Sequence, residues 1–259
     1  MNDTKKKPLI LVTNDDGIEA KGLRLLIDIA KKYGRVMVTA PDGPQSAKSH
    51  SITQSLPVLY RKIQESENYS EYSCSGTPVD CVKIGIHEIS DIQPDFVLSG
   101  INHGANTSVS VLYSGTMGAA IEATINGIPA VGFSVNNYEA DSDFEAVRPF
   151  IEKILDKTFS EGLPAGVSLN VNFPDPKTTD IKGIRFCRAT KGAWKEKFVS
   201  AANPHGRKAF WITGTFNNLE AGAEDTDEYA ILNGYASIVP IKPEFTAHEY
   251  IDKFKKWNL

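Results

Sequence analysis

Residues 9 to 14 form a near-continuous apolar run. After a polar break, Leu23, Leu26, Ile27, Ala30 and Tyr33 recur at helical spacing before a second run, RVMVTAP. Strand-like runs buried on both faces and joined by an amphipathic helix predict a βαβ unit in a parallel sheet. The pattern returns after residue 76, where TPVDCVKIGIHEI predicts a helix, DFVLSG a strand, TMGAAIEATING a helix closed by glycine, and PAVGFSV another strand. A helix over about 141 to 157 gathers Phe144, Val147, Phe150, Ile151, Ile154 and Leu155 on one face, and VSLNVNFP supplies one more strand. Residues 1–175 thus read as a Rossmann-like, doubly wound, mostly parallel α/β core.

Beyond Pro174 the texture changes. GIRFCRAT, FVSAAN, KAFWITG and YASIVPI are short, aromatic and β-branched, with Gly, Pro and Asn between them, which predicts β-hairpins. The tail TAHEYIDKFKKWNL returns to helical spacing through Tyr250, Ile251, Phe254 and Trp257. Residues 176–259 are therefore expected to form a hairpin-rich extension with a terminal helix, whose apolar face packs on its own core or on a partner subunit.

Composition narrows the class. With 259 residues, 41% hydrophobic and 23% charged, the chain has the makings of one substantial core. A net charge of -4 argues against a surface for nucleic-acid polymers, which needs clustered Lys and Arg. Cys74, Cys81 and Cys187 match no C-x-x-C pairing, so buried thiols are expected in place of a disulfide framework or zinc knuckle. The start MNDTKKKP is basic, but the apolar run behind it is short and broken by NDD; neither a signal segment nor a membrane span is expected, and the cytoplasm is the expected location.

In an open α/β sheet, ligands bind outside the carboxyl ends of the strands. The segments there are NDDG, PDGPQSAKSHS and SGINHGANTSVSVLYSGTMG. Adjacent side chains on a strand point to opposite faces, so Asp15 and Asp16 serve one site only if the strand ends there, and Gly17 allows the turn. Two neighbouring carboxylates repel unless a cation holds both ionised, and a hard divalent ion prefers such oxygen ligands. On pattern alone a metal site and a solvated helix-capping turn both remain open. Neither G-x-G-x-x-G nor G-x-x-x-x-G-K-[ST] is present, which removes a bare dinucleotide or P-loop cradle. Ser114, Gly115 and Thr116 lead into a helix whose free N–H groups suit an anion, and Asn102, Asn106 and His103 lie among glycines nearby.

These segments resemble the SurE family of stationary-phase survival proteins, metal-dependent nucleoside-monophosphate phosphatases. The resemblance is carried by ILVTNDDGIEAKGL, APDGPQSAKSHSIT, GTPVDCVKIGI, PDFVLSGINHGAN, YSGTMGAAIEATINGIPAVGFS and, more weakly, TDEYAILNGYASIVPI. It implies one divalent cation, Mg²⁺ or Mn²⁺, on Asp15, Asp16, Ser46 and Asn102. It implies a phosphate pocket at Asn106, Ser114, Gly115 and Thr116, and a homodimer or homotetramer with exchanged C-terminal segments. The second loop departs from the family: Gly43, Pro44, Gln45 and Ala47 stand where two arginines and a glycine are usual.

The expected activity is a phosphomonoesterase acting on nucleoside 5′-monophosphates, with 3′-monophosphates and short polyphosphate as further substrates. Its in-line attack by a metal-activated water uses Asp15, Asp16, Asn106 and Ser114. An aspartyl-phosphate route would want D-x-D in place of DD. A non-catalytic, metal-dependent nucleotide-binding protein is the reading from another class.

Overall fold

The computed structural model describes residues 7–139, 142–202, 206–257 and 259; the MNDTKK start, residue 141 of the expected helix, Asn203 and Asn258 lie outside them. The strands are β1 (Leu9–Thr13), β2 (Arg35–Pro41), β3 (Tyr60–Ser66), β4 (Tyr69–Cys74), β5 (Phe96–His103), β6 (Ala130–Val135), β7 (Ser168–Phe173), β8 (Gly183–Phe186), β9 (Gly192–Ala201), β10 (Ala209–Asn218) and β11 (Tyr235–Ile241). The helices are α1 (Lys21–Ala30), α2 (Pro78–Ile84), α3 (Gly115–Ile125), α4 (Arg148–Glu161), α5 (Asp227–Leu232) and α6 (His248–Phe254).

Nine strands form one sheet in the order β3-β4-β2-β1-β5-β6-β7-β11-β8. From β4 to β7 every pairing is parallel. Side-chain alternation divides the core: Ile10 and Val12 of β1 pack with Leu26 of α1 and Ile151 of α4. Leu9 and Leu11 face the other way, onto Val82 of α2 and Met117 of α3. The chain leaves β1 for β2 on one side and later returns to place β5 on the other, so β1 and β5 flank the sheet's topological switch point.

The differences from the sequence expectation have local causes. Of the four C-terminal runs, only those in β9 and β10 pair as a hairpin. β11 instead joins the main sheet antiparallel to β7, with β8 parallel beyond it, because Ala236 and Ile238 have a core to enter. The helix expected from 141 begins at Arg148, where Pro149 suits a first turn and not a helix interior. The hairpin β3–β4 and the short α5 were not anticipated. Cys74 and Cys81 are buried and free, and Cys187 is half-buried and free. No helix among the described residues is long and apolar enough to cross a membrane.

Candidate active site

β1 ends at Thr13, and Gly17, at φ 105, turns the chain out of the sheet. Between them the two carboxylates part. Asp15 is buried and accepts a 2.5 Å hydrogen bond from Thr116 Oγ1 at the start of α3. The backbone N–H of Thr116 is directed at the same carboxylate. Asp16 Oδ2 accepts the His103 N–H at 3.3 Å. Burial, with the neighbouring Asp16 charge, pushes Asp15 up to about 6 despite its donors. Burial also raises Asp16.

Asn102 reaches the site from the end of β5. Its Nδ2 donates to the Gly104 carbonyl at 2.8 Å, which leaves Oδ1 as an acceptor. Ser46 stands exposed on the loop after β2. Ser49 of that loop donates its N–H to Tyr113 O at 3.1 Å and its hydroxyl to Leu112 O, and Gly118 lets the Ser49 carbonyl approach α3 so closely that a Cβ would lie 2.5 Å from it. His50 Nε2 and Lys83 Nζ both meet the buried Glu122 carboxylate of α3, at 2.7 and 2.6 Å. The Ser49, His50 and Gly118 contacts pin the Ser46 loop to the helix that caps Asp15.

Asp15, Ser46, Asn102, Asn106 and Ser114 line one cavity of about 670 Å³. Asp16 is not among the described residues that line it; its carboxylate accepts the His103 N–H. Ser114 caps α3, its Oγ accepting Met117 N–H at 3.1 Å, so its hydroxyl proton remains for a ligand. Asn106 is held from three sides: its N–H donates to Asn172 Oδ1 at 2.7 Å, its Nδ2 to Ser134 Oγ at 2.9 Å, and its carbonyl accepts Asn170 Nδ2 at 2.8 Å. Gly115 and Thr116, expected at the phosphate, lie behind Asp15 instead. Thr116 is fully buried with its hydroxyl committed to Asp15, and a Cβ on Gly115 would come within 2.8 Å of Asp15 Cβ. The start of α3 serves the carboxylate first because a buried charge demands donors more strongly than a solvated ligand does.

His103 lines the cavity, but its ring packs edge-on against Phe144 at 4.9 Å, and burial lowers its pKa. Sequence reasoning missed the amides of Asn170 and Asn172 and the acidic anchor Asp227. Asp227 is wholly buried and accepts from Ser108 N at 2.8 Å, Thr190 N at 2.9 Å and Thr190 Oγ1 at 2.7 Å. The alternating N-x-N within an otherwise apolar strand was the available signal for the first two. Also missed were Trp194, Glu196, Ile212 and Gly214, by which the β9–β10 hairpin closes one side of the cavity.

Among the described residues no group of three or more His, Cys, Asp or Glu is placed to hold a metal ion. The donor set of two carboxylates, one amide oxygen and one hydroxyl is nonetheless an all-oxygen set, the chemistry a hard divalent cation takes. A cation there would also relieve the cost that raises Asp15.

Fold and site together define an α/β protein with a cavity at the switch point of its sheet, one end of which carries Asp15, Ser46, Asn102, Asn106 and Ser114. The chain belongs to the survival protein SurE family, whose model matches residues 10–196. It is 52% identical to the 5′-nucleotidase SurE of Flavobacterium psychrophilum over 98% of both chains. It is 51% identical to the 5′-nucleotidase SurE of Christiangramia forsetii over 98% of both. The crystal structure of the Aquifex aeolicus SurE protein superposes with a TM-score of 0.81 at 37% identity, covering 96% of this chain and 98% of that one.

Proposed function

We propose that this protein is a metal-dependent 5′-nucleotidase that hydrolyses nucleoside monophosphates to nucleoside and phosphate, with 3′-monophosphates and short polyphosphate as further substrates. The observation that carries the reading is the convergence of Asp15, Ser46 and Asn102 on the cavity that Asn106 and Ser114 line, in a chain half identical to proteins named for that activity. One divalent cation, Mg²⁺ or Mn²⁺, would be held by Asp15, Asp16, Ser46 and Asn102, where it supplies Lewis acidity and neutralises phosphoryl charge.

The chain's own residues do the rest. The Ser114 hydroxyl and the remaining Asn106 amide proton donate to the phosphoryl oxygens, held in place by the Ser134, Asn170 and Asn172 contacts. The Thr116 hydroxyl and N–H keep Asp15 oriented and favour its ionised form. Asp15 or Asp16 orients the attacking water.

Residues 176–259 are assigned to self-association in a homodimer or homotetramer with exchanged C-terminal segments. Supporting this, β9 and β10 form a separate two-stranded sheet, marginal on its own, that leaves Trp211 71% and Phe198 62% exposed. The cytoplasm is the compartment that suits three free cysteines.

The deciding assay is phosphate release from AMP and GMP with Mg²⁺ or Mn²⁺, with and without EDTA. The expected result is turnover abolished by the chelator. Metal-dependent AMP binding without phosphate release would replace the enzyme with a nucleotide sensor.

A further inference from the structure

The cavity is larger than a phosphate group requires. At about 670 Å³ it lies in the range, roughly 300–1,000 Å³, that encloses a whole drug-sized ligand. One end carries the acidic and amide groups described above; the other is walled by the β9–β10 hairpin. Resting on the nucleotidase reading, we propose that Trp194 and Glu196 of β9 form the base subsite and that this subsite favours guanine.

Trp194 is fixed by its edges. Its Nε1 donates to Ser110 Oγ at 3.3 Å, and Phe216, directly across the ladder, meets it edge-on at 6.1 Å and 68°. A ring held in this way keeps a face for stacking a flat heterocycle. Ser110 lies on the segment between Asn106 and Ser114, so the same contact fixes the indole relative to the phosphate end.

Glu196 is two residues further along β9 and therefore on the same face. Opposite it in the ladder is Gly214, where any Cβ would stand 2.6 Å from the Lys195 carbonyl. Gly214 and Ile212 line the cavity together with Trp194 and Glu196. A carboxylate only accepts hydrogen bonds, and its two oxygens match two adjacent donors. Guanine offers that pair, N1–H beside the exocyclic amino group. Hypoxanthine keeps only N1–H, and a site built for two donors rejects a ligand with one.

The test uses the full chain with Mn²⁺ and four phosphomonoesters: GMP, IMP, AMP and ribose 5-phosphate, which lacks a base. Wild-type enzyme is expected to prefer GMP to IMP. In Trp194→Ala the ratio of kcat/KM for GMP over ribose 5-phosphate should fall about 10-fold through KM, while Trp194→Phe retains most of it. In Glu196→Gln the GMP preference over IMP should disappear. An unchanged ratio in Trp194→Ala, or an unchanged preference in Glu196→Gln, overturns the subsite and leaves the nucleotidase reading standing. Calorimetric titration of GMP into wild type and Trp194→Ala separates the two cases. If no substrate is turned over, lost GMP affinity in the variant supports the subsite while the nucleotidase reading fails, and unchanged affinity overturns both.

Discussion

Gly115→Ala tests the link between α3 and the carboxylate pair. The added methyl would sit 2.8 Å from Asp15 Cβ, 2.9 Å from Asp15 Oδ2 and 3.1 Å from Pro78 Cγ. Carbon atoms in ordinary contact keep about 3.5–4.0 Å, so Asp15 must retreat by roughly 0.7 Å or more. Retreat stretches its hydrogen bond to Thr116 and shifts one of the proposed metal ligands. A displacement near 1 Å at a reacting centre costs on the order of 100-fold, about 2.7 kcal/mol. The expected result is a fall in kcat/KM for AMP of that order with weaker Mn²⁺ binding. The fold should survive, because alanine is the better helix former. Steady-state kinetics, metal titration and circular dichroism read these quantities. Gly43→Ala, on the Ser46 loop with nothing within 4 Å of the added carbon, is the control and should behave as wild type. A folded Gly115→Ala protein with wild-type kcat/KM would refute the argument that Asp15 is held in place by this contact.

Asp15→Asn and Asp16→Asn should each abolish turnover without unfolding the protein, a loss exceeding the roughly 10–100-fold typical of removing a group behind a metal ligand; near-normal rates in either would remove that residue from the site. Thr116→Val deletes the donor to Asp15 and should weaken Mn²⁺ binding by about 10–100-fold, measured by calorimetry. Glu122, held down to about 2 from 4.5 by His50 and Lys83, adds stability that is complete above pH 4.5 and is lost as pH falls toward 2. That contribution is at most about 3 kcal/mol, less because both partners are partly exposed, so urea unfolding of wild type against Glu122→Gln should converge below pH 4.5. A stability gap that does not change with pH would disprove it.

The parts of this molecule legible in its sequence are those whose signal is local. β1 is buried along its length and so reads as an unbroken apolar run, and the NDDG behind it marks the strand end. β3 is exposed at all seven positions, so YRKIQES carries no alternation to read, and α5 is too short at six residues to show a helical face. β8 and β11 look like hairpin strands until a sheet edge is available for them to join. The same holds for Thr116, whose hydroxyl bonds Asp15. A Ser/Thr-rich helix start signals free donors, but which acceptor takes them depends on where Asp15 is buried. The roles of Trp194 and Glu196 depend on how the hairpin docks, which no window of sequence contains.

The cavity's charge leads to one more consequence. Asp15 and Glu196 line it, and among the described residues that line it there is neither a lysine nor an arginine, while burial keeps His103 toward its neutral form. The loop after β2, where the family usually carries arginines, here has Gly43, Pro44, Gln45 and Ala47, and its Lys48 is exposed and not among the residues lining the cavity. The start of α3, the other source of positive potential, is spent on Asp15. A phosphate charge about 4 Å from a carboxylate is repelled by about 4 kcal/mol at an effective dielectric near 20, about three orders of magnitude in affinity. A divalent cation on the acidic pair reverses that sign. Metal should therefore be needed for nucleotide binding itself as well as for turnover. Titration of AMP into metal-free protein in EDTA should show affinity weaker by about 100-fold or more than in Mn²⁺. Equal affinity in the two conditions would mean that another group supplies the positive charge and that the acidic pair does not hold the cation that meets the phosphate.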